Sequence, residues 1–177
     1  MNHESLLNQL KEIGFDDASL IETHQLKLLP EVRNMCADNR CGAYGKKWSC
    51  PPYCGTLEEC NQRMEHYQNG VVMLTVTKLE DSFDFEGMEE GNKHHNQLFI
   101  DAIQLLRAEK ENILPLGAGG CRICETCTCP ESSCRYLEKM IVSMEAYGLL
   151  VSDVCEKCGL SYFNGESTVT YVSCILF

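Results

Sequence analysis

The stretch Gly70-Val71-Val72-Met73-Leu74-Thr75-Val76-Thr77 decides the fold. It is rich in β-branched residues, which suit a pleated backbone, and it is apolar at both alternating sets of positions. A strand of that pattern is buried on both faces, so structure must cover it above and below. Working outward, Ile113-Leu114-Pro115-Leu116 reads as a short strand. Thr168-Val169-Thr170-Tyr171-Val172-Ser173-Cys174-Ile175-Leu176 reads as a longer one with two mostly apolar faces, and residues 20–28 alternate well enough for another. Between them lie helical patterns. Residues 4–13 carry Leu6, Leu7, Leu10 and Ile13 at helical spacing, and Thr56-Leu57-Glu58-Glu59 has the form of a capping box opening a helix to about Tyr67. Residues 87–110 turn Met88, His95, Phe99, Ala102, Leu105 and Leu106 inward, and helical stretches follow near 134–147 and 149–158, with Gly148 and Gly159 as stops. Alternating strands and helices predict an α/β fold, a small central sheet flanked by helices. At 177 residues the chain fits one domain, 1–177, with cysteine-rich loops at 36–54 and 117–134.

Thirteen cysteines occur, and nine of them lie in those two loops. The opening MNHESLLNQLKEIG lacks the basic flank and apolar core of a secretory signal, and no apolar run reaches the roughly 20 residues that span a bilayer. The cytoplasm is therefore the expected compartment, where thiols stay reduced. An odd cysteine count fits a disulfide framework poorly, so metal binding accounts better for these thiols. The formal net charge of −11 argues against nucleic acid and anionic membranes as partners, and suits docking on the basic patch of a redox partner protein. Oligomeric state is not readable.

In the second loop Cys121, Cys124 and Cys127 follow one another at x2 spacing, the way a chain wraps one face of a [4Fe–4S] cubane. Cys129 or Cys134 supplies a fourth ligand, and Cys134 has more slack to loop back. Gly117, Gly119 and Gly120 allow unusual φ values that aim N–H groups at cluster sulfur. The alternative is zinc, with Cys121 and Cys124 joined by Cys155 and Cys158 in knuckle spacing; the third x2 cysteine is surplus to that reading. The first loop, Cys36-x4-Cys41-x8-Cys50-x3-Cys54, is less regular, yet four thiols so close together favour a metal. Arg33, Arg40, Lys46 and Lys47 are interleaved to offset thiolate charge and lower thiol pKa values, and Trp48 and Tyr53 can shield a cluster.

The runs Cys36-Ala-Asp-Asn-Arg-Cys41-Gly-Ala-Tyr-Gly-Lys-Lys-Trp-Ser-Cys50-Pro-Pro, Gly117-Ala-Gly-Gly-Cys121 and Ser143-Met-Glu-Ala-Tyr-Gly148 resemble a cysteine-rich prokaryotic family. It is the "predicted metal-binding protein" family, the domain of unknown function numbered twenty-two eighty-four, common in anaerobes. The resemblance runs from about residue 30 to the end. It implies two ligand sets: Cys36, Cys41, Cys50 and Cys54, and Cys121, Cys124, Cys127 and Cys134. The chain departs from the family pattern at Cys129 and Cys158, which weakens both as ligands and the zinc knuckle with them.

Other features have plain readings. Cys60 and Cys174 read as small buried hydrophobes. Glu80–Glu90 holds six acids and no base, as a solvated loop and helix N-terminus would. His94 and His95 are adjacent on a helix and cannot chelate together; His3, His24 and His66 stand alone. Glu145 is the one acid placed to serve as a proton donor near a cluster. No P-loop, dinucleotide fingerprint or nucleophile elbow occurs. The expectation is an iron–sulfur protein with two [4Fe–4S] clusters working in electron transfer. An enzyme with one open iron for a small substrate is the alternative, and a structural zinc or iron module is the third reading.

Overall fold

The computed structural model describes residues 2–177. Five helices, α1 (His3–Ile13), α2 (Pro30–Met35), α3 (Leu57–Met64), α4 (Phe85–Arg107) and α5 (Val151–Lys157), accompany five strands. These are β1 (Asp17–Glu22), β2 (Asn69–Lys78), β3 (Leu114–Gly117), β4 (Val142–Ser143) and β5 (Thr168–Leu176), in the sheet order β1-β2-β5-β3-β4. The fold is α/β around a mixed sheet. β2 runs antiparallel to both β1 and β5, β3 antiparallel to β5, and only β3–β4 is parallel.

β2 is buried on both faces because successive side chains point to opposite layers. Val71 and Met73 face one core with Ile175, α1 and α4, built on Leu6, Leu10, Phe99 and Leu106. Val72 and Leu74 face the other with Val172, Cys174 and Leu176, against Cys60 and Met64 of α3, Tyr147, and Val154 of α5. The capping box forms as read: Thr56 Oγ1 accepts from Glu59 N–H at 3.2 Å, and Glu59 Oε2 accepts from Thr56 N–H at 2.7 Å.

Three elements differ from expectation. The strand placed at 20–28 occupies Asp17–Glu22, because β2 ends its pairing at Asn69 opposite Glu22 and leaves Thr23–Gln25 without a strand partner. Those residues close into a 3-10 turn, with Glu22 N–H donating to Gln25 Oε1 at 3.1 Å. The helix from Thr56 ends at Met64 rather than Tyr67. No helix forms over 134–147. A 3-10 turn at Leu137–Lys139, β4, and a second turn at Glu145–Tyr147 stand there instead. Ile141 to Met144 are buried without a gap, which no helix face allows, and β4 pairs with the free edge of β3.

Two contacts set the position of the first cysteine loop. Gly148 sits at φ 82°, and its carbonyl accepts from Leu29 N–H at 2.7 Å just before α2. A Cβ there would stand 2.8 Å from Leu57 Cδ2 and 3.1 Å from Leu29 O, so only glycine lets the chains approach. The Arg33 guanidinium of α2 donates to the carbonyls of Ala146 and Gly55, tying α2 to both neighbours.

His95 of α4 is fully buried between strands, its Nδ1 2.9 Å from Thr75 Oγ1 of β2 and its Nε2 2.8 Å from Ser173 Oγ of β5. Burial holds it neutral, with its pKa pushed down from 6.5 to about 4. The unfolded chain therefore binds the extra proton first. Stability is full above pH 6.5 and falls as pH drops toward 4, by about 3 kcal/mol from this one group. Urea unfolding at stepped pH values should show that loss, and His95→Gln should flatten it; parallel profiles for the two proteins would assign the loss elsewhere.

Candidate metal centre

The first cysteine loop follows α2 as a chain of turns. Cys36 opens a 3-10 turn, Cys36–Asp38, that Asn39 ends in the left-handed region, and Asn39 Oδ1 then accepts from Tyr44 N–H at 3.0 Å. Gly42 and Gly45 continue with φ 70° and 67°. The second loop leaves the sheet at Gly117, the last residue of β3. Of its three early glycines only Gly119 uses positive φ, at 82°; Gly117 is glycine because a Cβ would come within 2.8 Å of Ile141 Cγ2.

Three consecutive residues fasten the loops together. Lys47 Nζ donates to the Cys121 carbonyl at 2.9 Å, and Cys121 N–H donates to Ser49 Oγ at 3.2 Å. Between them Trp48 Nε1 donates to the Ser132 carbonyl at 3.1 Å, with its ring edge-on to Tyr53 at 5.0 Å. Ser49 is 1% exposed, so the acceptor of this bond is buried while Cys121 itself is half-buried.

Two adjoining hollows result. The larger, about 700 Å³, has Cys36, Cys41, Cys50 and Cys127 on its walls, with Gly119 and Gly120 at the base of the second loop. The smaller, about 40 Å³, is bounded by Cys121, Cys124, Cys127 and Cys134 and roofed partly by Trp48. Lys47, Glu125 and Cys127 belong to both. Cys129 lines neither of them, and Glu145 lines the larger. Among the described residues no three Cys, His, Asp or Glu side chains are grouped closely enough to hold a metal ion as they stand. What the fold brings together is walls on which cysteine sulfur is the most numerous donor, four thiols on each, with Glu125 and Glu145 beside them, a set that suits iron–sulfur clusters or zinc better than a hard cation.

Cys54 lies apart from both hollows. It is buried in the core with Cys60, and burial pushes its thiol up to about 11 against the opposing pull of Arg33. Burial likewise raises Cys36 and Cys50, more than Arg33 and Lys47 respectively lower them. The expectation that interleaved bases depress these thiols is thus reversed in net direction: desolvation outweighs them. Cys155 is fully buried and raised to about 12, Cys174 is raised further in β5, and Cys158 donates to the Cys155 carbonyl at 3.5 Å. These three belong to the core around α5, as does Cys60, 3.9 Å from Arg33 Nη1. Asp84 of the acidic run caps α4, accepting from Gly87 N–H at 2.8 Å, which holds its carboxyl below the usual range. The tie between Ser49 and Cys121 has no signal in cysteine spacing; the polar residue beside Cys50 is the only mark it leaves.

A family model described as "Predicted metal-binding protein (DUF2284)" matches residues 19–177. No curated protein matches the chain. Among solved structures, epoxyqueuosine reductase from Bacillus subtilis superposes with a TM-score of 0.47 at 10% identity, over 98% of this chain and 44% of that one. The chain thus spans less than half the length of that protein.

Ser49→Ala leaves Cys121 N–H without its buried acceptor and should cost about 1 kcal/mol in urea unfolding. Hydrogen exchange at the Cys121 amide should quicken at the same time. Unchanged exchange would mean that this bond does not hold the loops together.

Proposed function

The chain belongs to the predicted metal-binding (DUF2284) family, and from that premise we propose that its two cysteine loops hold iron–sulfur clusters that pass electrons to and from a redox partner. The adjacency of two thiol-lined hollows sharing Lys47, Glu125 and Cys127 carries this reading. Cys121, Cys124, Cys127 and Cys134 would supply the four thiolates of one [4Fe–4S] cluster; that Cys134 borders the small hollow and Cys129 does not supports the choice of fourth ligand. Cys36, Cys41 and Cys50 would hold the other; Cys54, the fourth member of that set by the family resemblance, is packed in the core and would have to turn outward to complete it. Clusters of this kind supply one-electron transfer at potentials set by burial and nearby hydrogen bonds.

The chain's own residues have definable parts in this. Arg33 and Lys47 place positive charge beside Cys36, Cys54 and Cys50, against the negative charge those thiolates would carry. Trp48 borders the small hollow and would shield one side of a cluster held there. The acidic balance, 26 acids to 15 bases, supports docking on a basic partner surface, which speeds encounter more than it tightens binding.

One observation favours a second reading, an enzyme with an open iron. Cys54 is turned into the core, so the first loop presents three thiols to a cavity far larger than the hollow of the second. A three-thiolate cluster would leave one metal position free for a small substrate.

Anaerobically purified protein should contain roughly eight iron and eight acid-labile sulfide per chain and accept one electron per cluster. Cys124→Ala should lose about half of that iron, as one of two clusters goes, and Cys155→Ala should keep it all. Because burial holds Cys36 and Cys50 protonated, loading should release protons and weaken as pH falls. Zinc without sulfide in the purified protein would contradict the iron–sulfur reading.

A further inference from the structure

The large cavity carries a charge opposite to that of the molecule. Its lining includes Arg40, Lys46, Lys47 and Arg122 against Glu125 and Glu145, in a chain where acids outnumber bases by 26 to 15. Lys47 is committed to the Cys121 carbonyl. The other three bases make no ion pair within 4.0 Å among the described residues. Nor are they the charges that chiefly act on the buried thiols: that part falls to Arg33 beside Cys36 and to Lys47 beside Cys50. Three cations therefore line the cavity with no salt bridge of their own among the described residues, Arg122 acting at longer range on Glu89.

Much of the remaining wall is apolar, with Thr126 and Ser143 interspersed. Val32, Ala43, Tyr44 and Pro51 line it, with Met35 left 66% exposed although it belongs to a helix facing the cavity. About 700 Å³ falls within the roughly 300–1,000 Å³ range of small-molecule sites. The four cysteines of the second loop enclose only about 40 Å³, so the first cavity has room well beyond what its thiols would close around.

We propose that this cavity binds a small organic anion, a carboxylate or phosphate on an apolar body, held by Arg40, Lys46 and Arg122 with its apolar part against Met35 and Tyr44. The inference deepens the second reading above and rests on the cavity being a working site. Two guanidiniums offer planar forks that match either oxyanion, and the ligand's apolar part would cover the exposed Met35. An anion seated there would lie beside Cys36, Cys41 and Cys50, within the same walls as any metal those thiols hold.

Calorimetric titration of the anaerobically purified full chain with benzoate, phenyl phosphate and neutral benzamide tests this, with iron and sulfide measured on the same sample. At least one acid should bind ten-fold or more tighter than benzamide, and which of the two does so identifies the oxyanion. The double variant Arg40→Gln/Arg122→Gln should weaken that binding by roughly 10- to 100-fold, the loss of a charge-assisted bond. Lys46→Gln should weaken it by a smaller factor. Benzamide binding as tightly as both acids, or unchanged affinity in the double variant, would overturn the proposal. Iron and sulfide present with neither acid bound would sink this inference alone. An acid bound by protein devoid of iron would sustain it and remove the iron–sulfur reading.

Discussion

The backbone of Cys121 is gripped on both sides, its N–H by Ser49 and its carbonyl by Lys47, and the two cysteine loops stand together because of it. Without that grip each loop would be an exposed run of turns, one hung from α2 and the other from β3. With it, Cys127 of one loop shares walls with Cys36, Cys41 and Cys50 of the other. The scaffold beneath is rigid where it matters. β3 delivers the second loop from the sheet, and the close approach at Gly148, with Arg33 bridging Ala146 and Gly55, fixes the start of the first.

Desolvation and charge pull in opposite directions at these thiols, and desolvation is the larger. Cys36, Cys50 and Cys54 are therefore thiols at neutral pH in the metal-free chain, in spite of the bases around them. A thiophilic metal has to displace their protons, which couples loading to pH and makes the bases most useful once thiolates exist. The same competition leaves Cys155 and Cys174 inert in the core, as burial without a compensating cation would.

Much of the fold was legible because its signals were local. β5 spans the residues its apolar pattern marked, 168–176, and the capping box at Thr56 announced α3. The segment 134–147 was not legible, because β4 is two residues long and exists only through the edge that β3 offers it. Spacing revealed two cysteine-rich loops but not their meeting. The Lys47–Cys121 contact joins residues 74 positions apart, and no periodicity reports such a distance. Spacing also could not say that Cys54, four residues from Cys50, turns away into the core. Of the three bases around the cavity, Arg40 and Lys46 were visible as interleaved charges and Arg122 was not marked, and the separation of all three from the thiols' own counter-charges is a three-dimensional fact.

On the proposed function, each loop grips its own iron–sulfur centre with thiolates. Anaerobic crystals measured on both sides of the iron absorption edge test it most directly. Two separate iron anomalous peaks are expected, one bordered by Cys121, Cys124, Cys127 and Cys134, the other by Cys36, Cys41 and Cys50. Anomalous signal at the zinc edge alone, or disulfide bonds joining these cysteines, would contradict it.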